Sequence, residues 1–496
     1  MNVESLEPKE CFTWFAELAK IPRGSHNEKG VSDFLVAFAQ KRGLDVNQDK
    51  LCNVCIKKPG TKGYEKAPAV ILQGHMDMVC VKEQGLDFDF LKDPINLVVR
   101  GDTLSADRTT LGADNGIALA FILAILDSAD VPHPPLEAVI TVAEEVGMSG
   151  AAGFDVSQLA GTGFINIDSE EEGIFCVSCA GGRRSKVALP VEEIATAAID
   201  GHARHAFFSI ALSGLAGGHS GMQIDKQRGN AIRLMGRTLD LLAEKHGLYL
   251  AGIRGGSATN VIPAECEATV FIKGDQDAVK ADLDAICAMF RNELKASDGE
   301  GLKISFAPAT KTDVVWSGET LRKVVIAASL IPDGFQSMDL NITDQKLVEC
   351  SSNLGVIETT DEGVVFSSLT RSSVGSKKEF VYRQIAMVGE VVGAEVSYFG
   401  DYPAWEFNPD SRLREVFLDA YKALYTKDAK VEGIHAGLEC GIFYEKFREQ
   451  GRDMDFIAFG PDISGAHTVK EAVSISSVAR TWELFKEVLK GLGTTR

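Results

Sequence analysis

His75 and Asp77, two residues apart in GHMDM, form the first pair in the chain whose types and spacing could do chemistry. Four further groups follow: Asp114 in TLGADNGIAL, the adjacent Glu144 and Glu145 in AEEVG, Asp168 at the head of DSEEE, and His467 near the end of GPDISGAHT. Two imidazoles and three carboxylates (His75, Asp114, Glu145, Asp168, His467) are a donor set suited to two zinc ions. One carboxylate would bridge, and each ion would keep an open position for water. Asp77 would stay off the metal and accept the second ring N–H of His75, fixing its tautomer and raising its basicity. Glu144, beside Glu145, adds a carboxylate able to face metal-bound water as a general base. Taken singly, each has an ordinary explanation. A His-x-Asp is a turn pair, an Asp at a helix start is an N-cap, and paired glutamates or an acidic loop are solvated. Their convergence at strand ends is what points to a site.

The elements that must position these groups are short apolar runs and longer helical ones. Strands are expected over residues 69–73, 138–142 and 163–167, each followed by one of the groups above, and helices over 8–19, 28–41 and 115–126. Val- and Ile-rich strands separated by helices imply an α/β fold, a mostly parallel sheet covered by helices. Ligands of such sheets bind beyond the carboxyl ends of the strands. Asp114 lies just before a helix, where the dipole favours an anion. From about residue 187 the pattern changes. Strands at 207–212, 268–273, 302–306, 363–369 and 395–398 accompany helices at 229–245, 277–295 and 378–392. These read as two strand–helix–strand units in an α+β lid with a mainly antiparallel sheet. Helix 412–425, strand 455–459 and helix 477–489 then return to the first domain. The expected division is 1–186 with 400–496 as the catalytic domain and 187–399 as the inserted lid.

Composition removes several function classes. The 496 residues carry 51 Lys+Arg against 70 Asp+Glu, a net charge of −19. That surplus, with no basic run, argues against nucleic-acid binding. The longest apolar stretch, residues 117–126, falls short of the ~18–20 residues a membrane helix needs. The opening MNVESLEPKE lacks the basic region and apolar run of a signal peptide, and 10 cysteines are too sparse for a disulfide scaffold. The expected location is cytoplasmic. Two Cys-x-x-Cys pairs, Cys52/Cys55 and Cys176/Cys179, could together make a four-thiolate zinc site. Both stretches read as strands, whose alternation separates the two sulfurs of a pair, so buried thiols are expected. H-E-x-x-H, G-x-S-x-G, the Walker loop and the dinucleotide fingerprint are missing, which removes support for the helix-borne single-zinc protease, serine hydrolase, ATPase and dehydrogenase.

GHMDMV, LGADNGIALA, TVAEEVGMSGA, NIDSEEEG and the late GAHT together resemble the co-catalytic di-zinc peptidases that include aminoacylase, carnosinase and glutamate carboxypeptidase. The resemblance runs along nearly the whole chain and is strongest to the bacterial aminoacyl-histidine dipeptidase (peptidase D) branch. It implies His75 and Asp168 on one zinc, Glu145 and His467 on the other, Asp114 bridging, Glu144 as general base and Asp77 orienting His75. GLAGGHSGMQID resembles the lid motif whose His, here His219, stabilises the oxyanion. GGSATNVIPAE and SLTRSS resemble segments that hold substrate through Asn260 and clamp its α-carboxylate through Arg371. Glu439 in HAGLECG matches a loop close to the site without a firm role. The implied activity is hydrolysis of unblocked dipeptides, Xaa-His and carnosine-like ones among them, with a zinc-bridging water activated by Glu144. Co or Mn are possible substitutes for zinc. A deacylase of N-acyl amino acids and a catalytically silent metal- or peptide-binding protein stay open beside it. The family also implies a homodimer in which a lid His serves the neighbouring site, although the doubled lid could supply His219 within one chain.

Overall fold

In the computed structural model, which describes residues 3–201 and 204–493, strand Val70–His75 is buried at every position. It lies inside an eight-stranded sheet. The order is Asp45–Gln48, Val54–Lys58, Leu136–Thr141, Val70–His75, Gly163–Asn166, Asp455–Ala458, Ile174–Cys179, Lys430–Ile434. The sheet is mixed. Four strands from Leu136–Thr141 to Asp455–Ala458 run parallel, while the first two strands pair antiparallel. Register places His75 opposite Thr141 and Gln73 opposite Asn166, so the ligand-bearing strands finish level with one another. Helices close both faces. Ala113–Asp127 is apolar around nearly its whole circumference and is buried to match. Phe121 on it meets Trp482 and Phe485 of helix Ile475–Gly493. On the opposite face Phe443 and Phe447 of helix Glu439–Glu449 pack on Phe164. Large aromatics locked between layers fix how the helices sit, and each contributes about 1.5–3 kcal/mol by leaving water.

The chain leaves this sheet at Cys179 and enters the lid sheet at Gly181. The main lid path reads Lys303–Pro308, His205–Ser213, Cys266–Lys273, Leu248–Gly255, Val348–Thr360, Gly363–Ser372, Gly181–Leu189, Glu395–Tyr402, and all its pairings are antiparallel. Its two halves each hold four strands. Among the described residues their strands pair at Arg254↔Glu358 and Gly255↔Ile357. Helices Ala231–Ala243 and Gln276–Glu293 pack on the first half and Gly375–Val392 on the second, with Gly318–Leu330 lying between Ala231–Ala243 and Gly375–Val392. Gly236 and Ala328 bring Ala231–Ala243 and Gly318–Leu330 close: a Cβ on Gly236 would stand 2.7 Å from that of Ala328. Among the described residues no helix is long and apolar enough to cross a membrane.

Candidate dinuclear metal site

His75 is the last residue of its strand and 1% exposed. Its backbone N–H donates to Asn115 Oδ1 (3.2 Å), and Asn115 Nδ2 donates to the carbonyl of Ile167 (2.8 Å), so one amide holds both His75 and the strand end before Asp168. Asp114 departs from helical backbone angles at the start of Ala113–Asp127, which turns its carboxylate toward the strand ends. The outcome is two adjoining donor groups. His75 Nε2 lies 3.2 Å from Asp114 Oδ1 and 3.5 Å from Asp168 Oδ1. His467 Nε2 lies 3.0 Å from Asp114 Oδ2 and 3.0 Å from Glu145 Oε1. Asp114 thus presents one oxygen to each group. Within each of the sets His75/Asp114/Asp168 and Asp114/Glu145/His467, all donor atoms fall within 4.8 Å of one another, and His75/Glu144/Glu145 makes a third such set.

The remaining sequence-named groups surround this cluster. Asp77, fully buried, places Oδ1 3.3 Å from His75 Nδ1, whose nearest neighbour at 3.2 Å is the Asp77 carbonyl. The same carboxylate accepts the backbone N–H groups of Glu144 (3.1 Å) and Glu145 (3.3 Å) and the hydroxyl of Ser25 (2.8 Å). Asp77 therefore fixes the glutamate turn as well as the imidazole. Glu439 heads its helix at 0% exposure and accepts from Thr141 Oγ1 (2.7 Å) and from Gln73, both on ligand-bearing strands. His467 sits at the tip of the hairpin formed by Ile463–Ser464 and Ala472–Ser474. The Cys-x-x-Cys pairs take no part. Among the described residues no cysteine joins a donor cluster, and burial pushes Cys55 and Cys176 up to about 12.

The electrostatics call for cations. Burial lifts Glu144 to about 9 and Asp168 to about 6, because two carboxylates and their neighbours crowd a dry pocket. Hydrogen bonds that the His467 ring donates to Asp114 and Glu145 raise it to about 11. For Asp114 burial works upward, but His467 and His75 together hold it well below the carboxylate range. The neighbouring carboxylates raise both imidazoles above their ordinary value, which favours the protonated rings. Divalent ions would replace those protons, and the donor chemistry fits them.

A cavity of about 510 Å³ opens from the cluster, lined by Glu144, Asp168, Met222 and Leu438 among others. Met222, Gln345, Gly433 and Ile434 also line an adjoining 210 Å³ cavity that reaches His435. The lid meets the catalytic domain here. His435 Nε2 is 2.7 Å from Ser351 Oγ, and the Met222 N–H donates to His219 Nδ1 at 3.3 Å. A neutral His219 with Nδ1 accepting carries its proton on Nε2. Burial and the Arg371 charge both lower its pKa, keeping the ring neutral. Arg371, on strand Gly363–Ser372, is 7% exposed. Its Nη1 donates to Tyr402 Oη (3.0 Å) while its Nε has no hydrogen-bond partner. The backbone carbonyl of Asn260 accepts from Ser220, next to His219 (2.9 Å).

The comparisons with known proteins decide the family. The chain is 35% identical over 491 residues to the cytosol non-specific dipeptidase of Escherichia coli (strain K12), covering 99% of each chain. The chain belongs to the M20 peptidase family. The family's peptidase dimerisation domain model matches residues 210–301 of this M20 peptidase. Its fold matches the crystal structure of aminoacylhistidine dipeptidase from Vibrio alginolyticus at a TM-score of 0.93 and 34% identity, covering 99% of this chain and 98% of that one. An M20 family metallo-carboxypeptidase from Sulfolobus solfataricus shares the fold at a TM-score of 0.54 and 13% identity, with 98% and 99% covered. This M20 peptidase is a hydrolase acting on peptide bonds, with a helix-covered sheet and a separate antiparallel lid.

Three residues that sequence reasoning passed over stand behind the ligands. Arg23 donates through Nη1 to the carbonyls of Met76 (3.0 Å) and Asp77 (3.2 Å) and through Nη2 to that of Gly112. Glu28 accepts from the N–H of Ala143 (3.1 Å). Glu471 accepts from four backbone amides beside Asp114. These partners at the site are 50 to several hundred residues away, so the sequence around each residue does not point to them.

Proposed function

We propose that this M20 peptidase is a metallodipeptidase of unblocked dipeptides, Xaa-His and carnosine-like substrates among them. One observation carries the reading. Buried Arg371, with an unsatisfied Nε, is close enough for its charge to act on His219 and His435 at the lid boundary, and His435 lines the cavity adjoining that of the two-group metal-donor cluster. A buried guanidinium with a spare donor suits a substrate carboxylate, which it can take with its planar fork. Clamping that carboxylate near the cluster limits the peptide on its C-terminal side. The wall beyond the ligands holds Glu170, Glu171 and Glu432, which suits a free ammonium better than a neutral acyl group.

His75 with Asp168 and Glu145 with His467 would hold two ions bridged by Asp114, with zinc the metal we propose and cobalt or manganese compatible with the same donors. When bound, the ions polarise the scissile carbonyl and lower the pKa of water. Positive charge held there would oppose the burial that raises Glu144 and bring it toward the range of a working base. Glu144 then takes a proton from the attacking water and returns it to the leaving amine. Asp77 keeps His75 in one tautomer. The Nε2–H of His219 meets the developing oxyanion, and Asn260 joins Arg371 in holding the substrate. We also propose a cytoplasmic homodimer.

Amine release by the metal-loaded protein tests this on β-alanyl-histidine, alanyl-histidine, glycyl-leucine, a tripeptide and an N-acetyl amino acid. Cleavage of the unblocked dipeptides with the last two spared is the expected result. Cleavage of the acetylated compound alone would move the activity to deacylation. No cleavage with two ions bound would leave a binding protein.

A further inference from the structure

The loop that carries Asp114 is gripped from both sides by buried charges. Glu471, 2% exposed, accepts the N–H groups of Leu111 (2.9 Å) and Gly112 (3.1 Å) on Oε2 and those of Ala113 (2.7 Å) and Asp114 (3.2 Å) on Oε1. Four successive amides can converge on one carboxylate because Gly112 adopts φ +71° and inverts the loop between its neighbours. A Cβ there would also stand 2.6 Å from Arg23 Nη2 and 2.7 Å from Met78 Sδ. From the other side Arg23, 3% exposed, takes the Gly112 carbonyl. Residue 112 is thus polarised at both ends, its N–H on an anion and its C=O on a cation. Charge-assisted bonds of this kind are about twice as strong as neutral ones.

These contacts tie three donor loops together. Arg23 also holds the carbonyls of Met76 and Asp77, immediately after His75. Glu471 lies four residues after His467, at the base of its hairpin. The Asp114 loop is fastened to the His75 loop by Arg23 and to the His467 loop by Glu471. Stability alone gives little reason for such an arrangement, since buried charges can often be replaced by apolar residues at no loss. Fixing Asp114 between two histidines does give one.

We infer that Glu471 is a positioning residue that sets the bridging carboxylate of Asp114 relative to His75 and His467 before any ion arrives. The inference rests on the reading of His75, Asp114, Glu145, Asp168 and His467 as metal ligands. Glu471→Gln keeps the size and one acceptor oxygen but turns an amide N–H₂ toward backbone donors. Co(II) alone, titrated into the metal-free full-length chain, is the probe, read by stoichiometry, affinity and visible d–d spectrum. Wild type should bind two ions. The variant, folded by circular dichroism, should bind them about 10–100-fold more weakly with an altered spectrum. A residue that only stabilises the fold would shift the melting temperature and leave the Co(II) spectrum unchanged. Wild-type affinity and spectrum in Glu471→Gln would overturn the inference. Fewer than two ions on wild type would instead overturn the ligand reading. Should the variant fail to fold, amide exchange on metal-free wild type decides. The N–H groups of 111–114 should be protected without metal, and protection gained only on adding Co(II) would refute a preset loop.

Discussion

At the scale of single residues, the prediction turns on separating binding from proton transfer. Glu144 belongs to the donor set with His75 and Glu145 but lies outside the two sets that share Asp114. Glu144→Gln should therefore leave two ions bound while kcat falls roughly 10²–10⁴-fold. Metal analysis of the same preparation checks it, and near-normal turnover would remove Glu144 from the base role. Arg371→Ala should act on substrate instead. KM for dipeptides should rise at least about tenfold, because a charge-assisted contact worth about 1.5–3 kcal/mol is lost, with Co(II) stoichiometry unchanged. The residues gathered around the donor cluster were legible because His75, Asp77, Glu144, Glu145 and Asp168 follow expected strands, Asp114 precedes a helix and His467 lies in a Gly-rich loop after a strand. Arg23, Glu28 and Glu471 were not. Their work is done on backbone atoms far away in sequence, and a lone Arg or Glu carries no local mark of such a partner.

At the scale of elements, what the sequence made legible follows periodicity. The helix expected over 277–295 forms as Gln276–Glu293, and the strand expected over 163–167 as Gly163–Asn166. Strand Val348–Thr360 was not foreseen, because VECSSNLGVIETT is polar where a buried strand should be apolar. Tertiary partners take up some of those polar groups: Asn353 Nδ2 donates to the carbonyls of Thr259 (2.7 Å) and Val261 (2.8 Å). The same strand carries Ser351, the partner of His435 across the lid boundary. Burial first, then the Arg371 charge, depresses His435 from 6.5 to about 3. Below pH 6.5 the unfolded chain takes up a proton that the folded chain refuses, so stability is lost as pH falls toward 3, by about 1.4 kcal/mol per pH unit. Urea unfolding at pH 7 and pH 5 should show His435→Gln losing about 2 kcal/mol less than wild type over that interval. Equal losses would mean that His435 is not held neutral at this boundary.

At the scale of the whole molecule, the doubled lid bears on which site His219 serves. The dimerisation-domain match, residues 210–301, falls within one half of the lid. The inner edge of that half is already paired with the second half through Arg254↔Glu358 and Gly255↔Ile357. One chain thus holds two four-stranded halves side by side in a single lid sheet. The His219 segment lies against its own catalytic domain, with Met222 lining the cavity of the donor cluster and Gly221 close to the carbonyl of His435. His219→Ala should lower kcat roughly 10²–10³-fold, as loss of an oxyanion donor does. Co-expressing His219→Ala with Glu144→Gln then separates the arrangements. If each His219 serves its own chain, no mixed dimer contains a complete site, and activity stays at the level of the single variants. If His219 crosses to a partner, the His219→Ala subunit keeps its Glu144 and borrows the missing imidazole, so dimers captured with two different tags regain turnover. We expect no recovery, because the His219 segment already lies against the catalytic domain of its own chain.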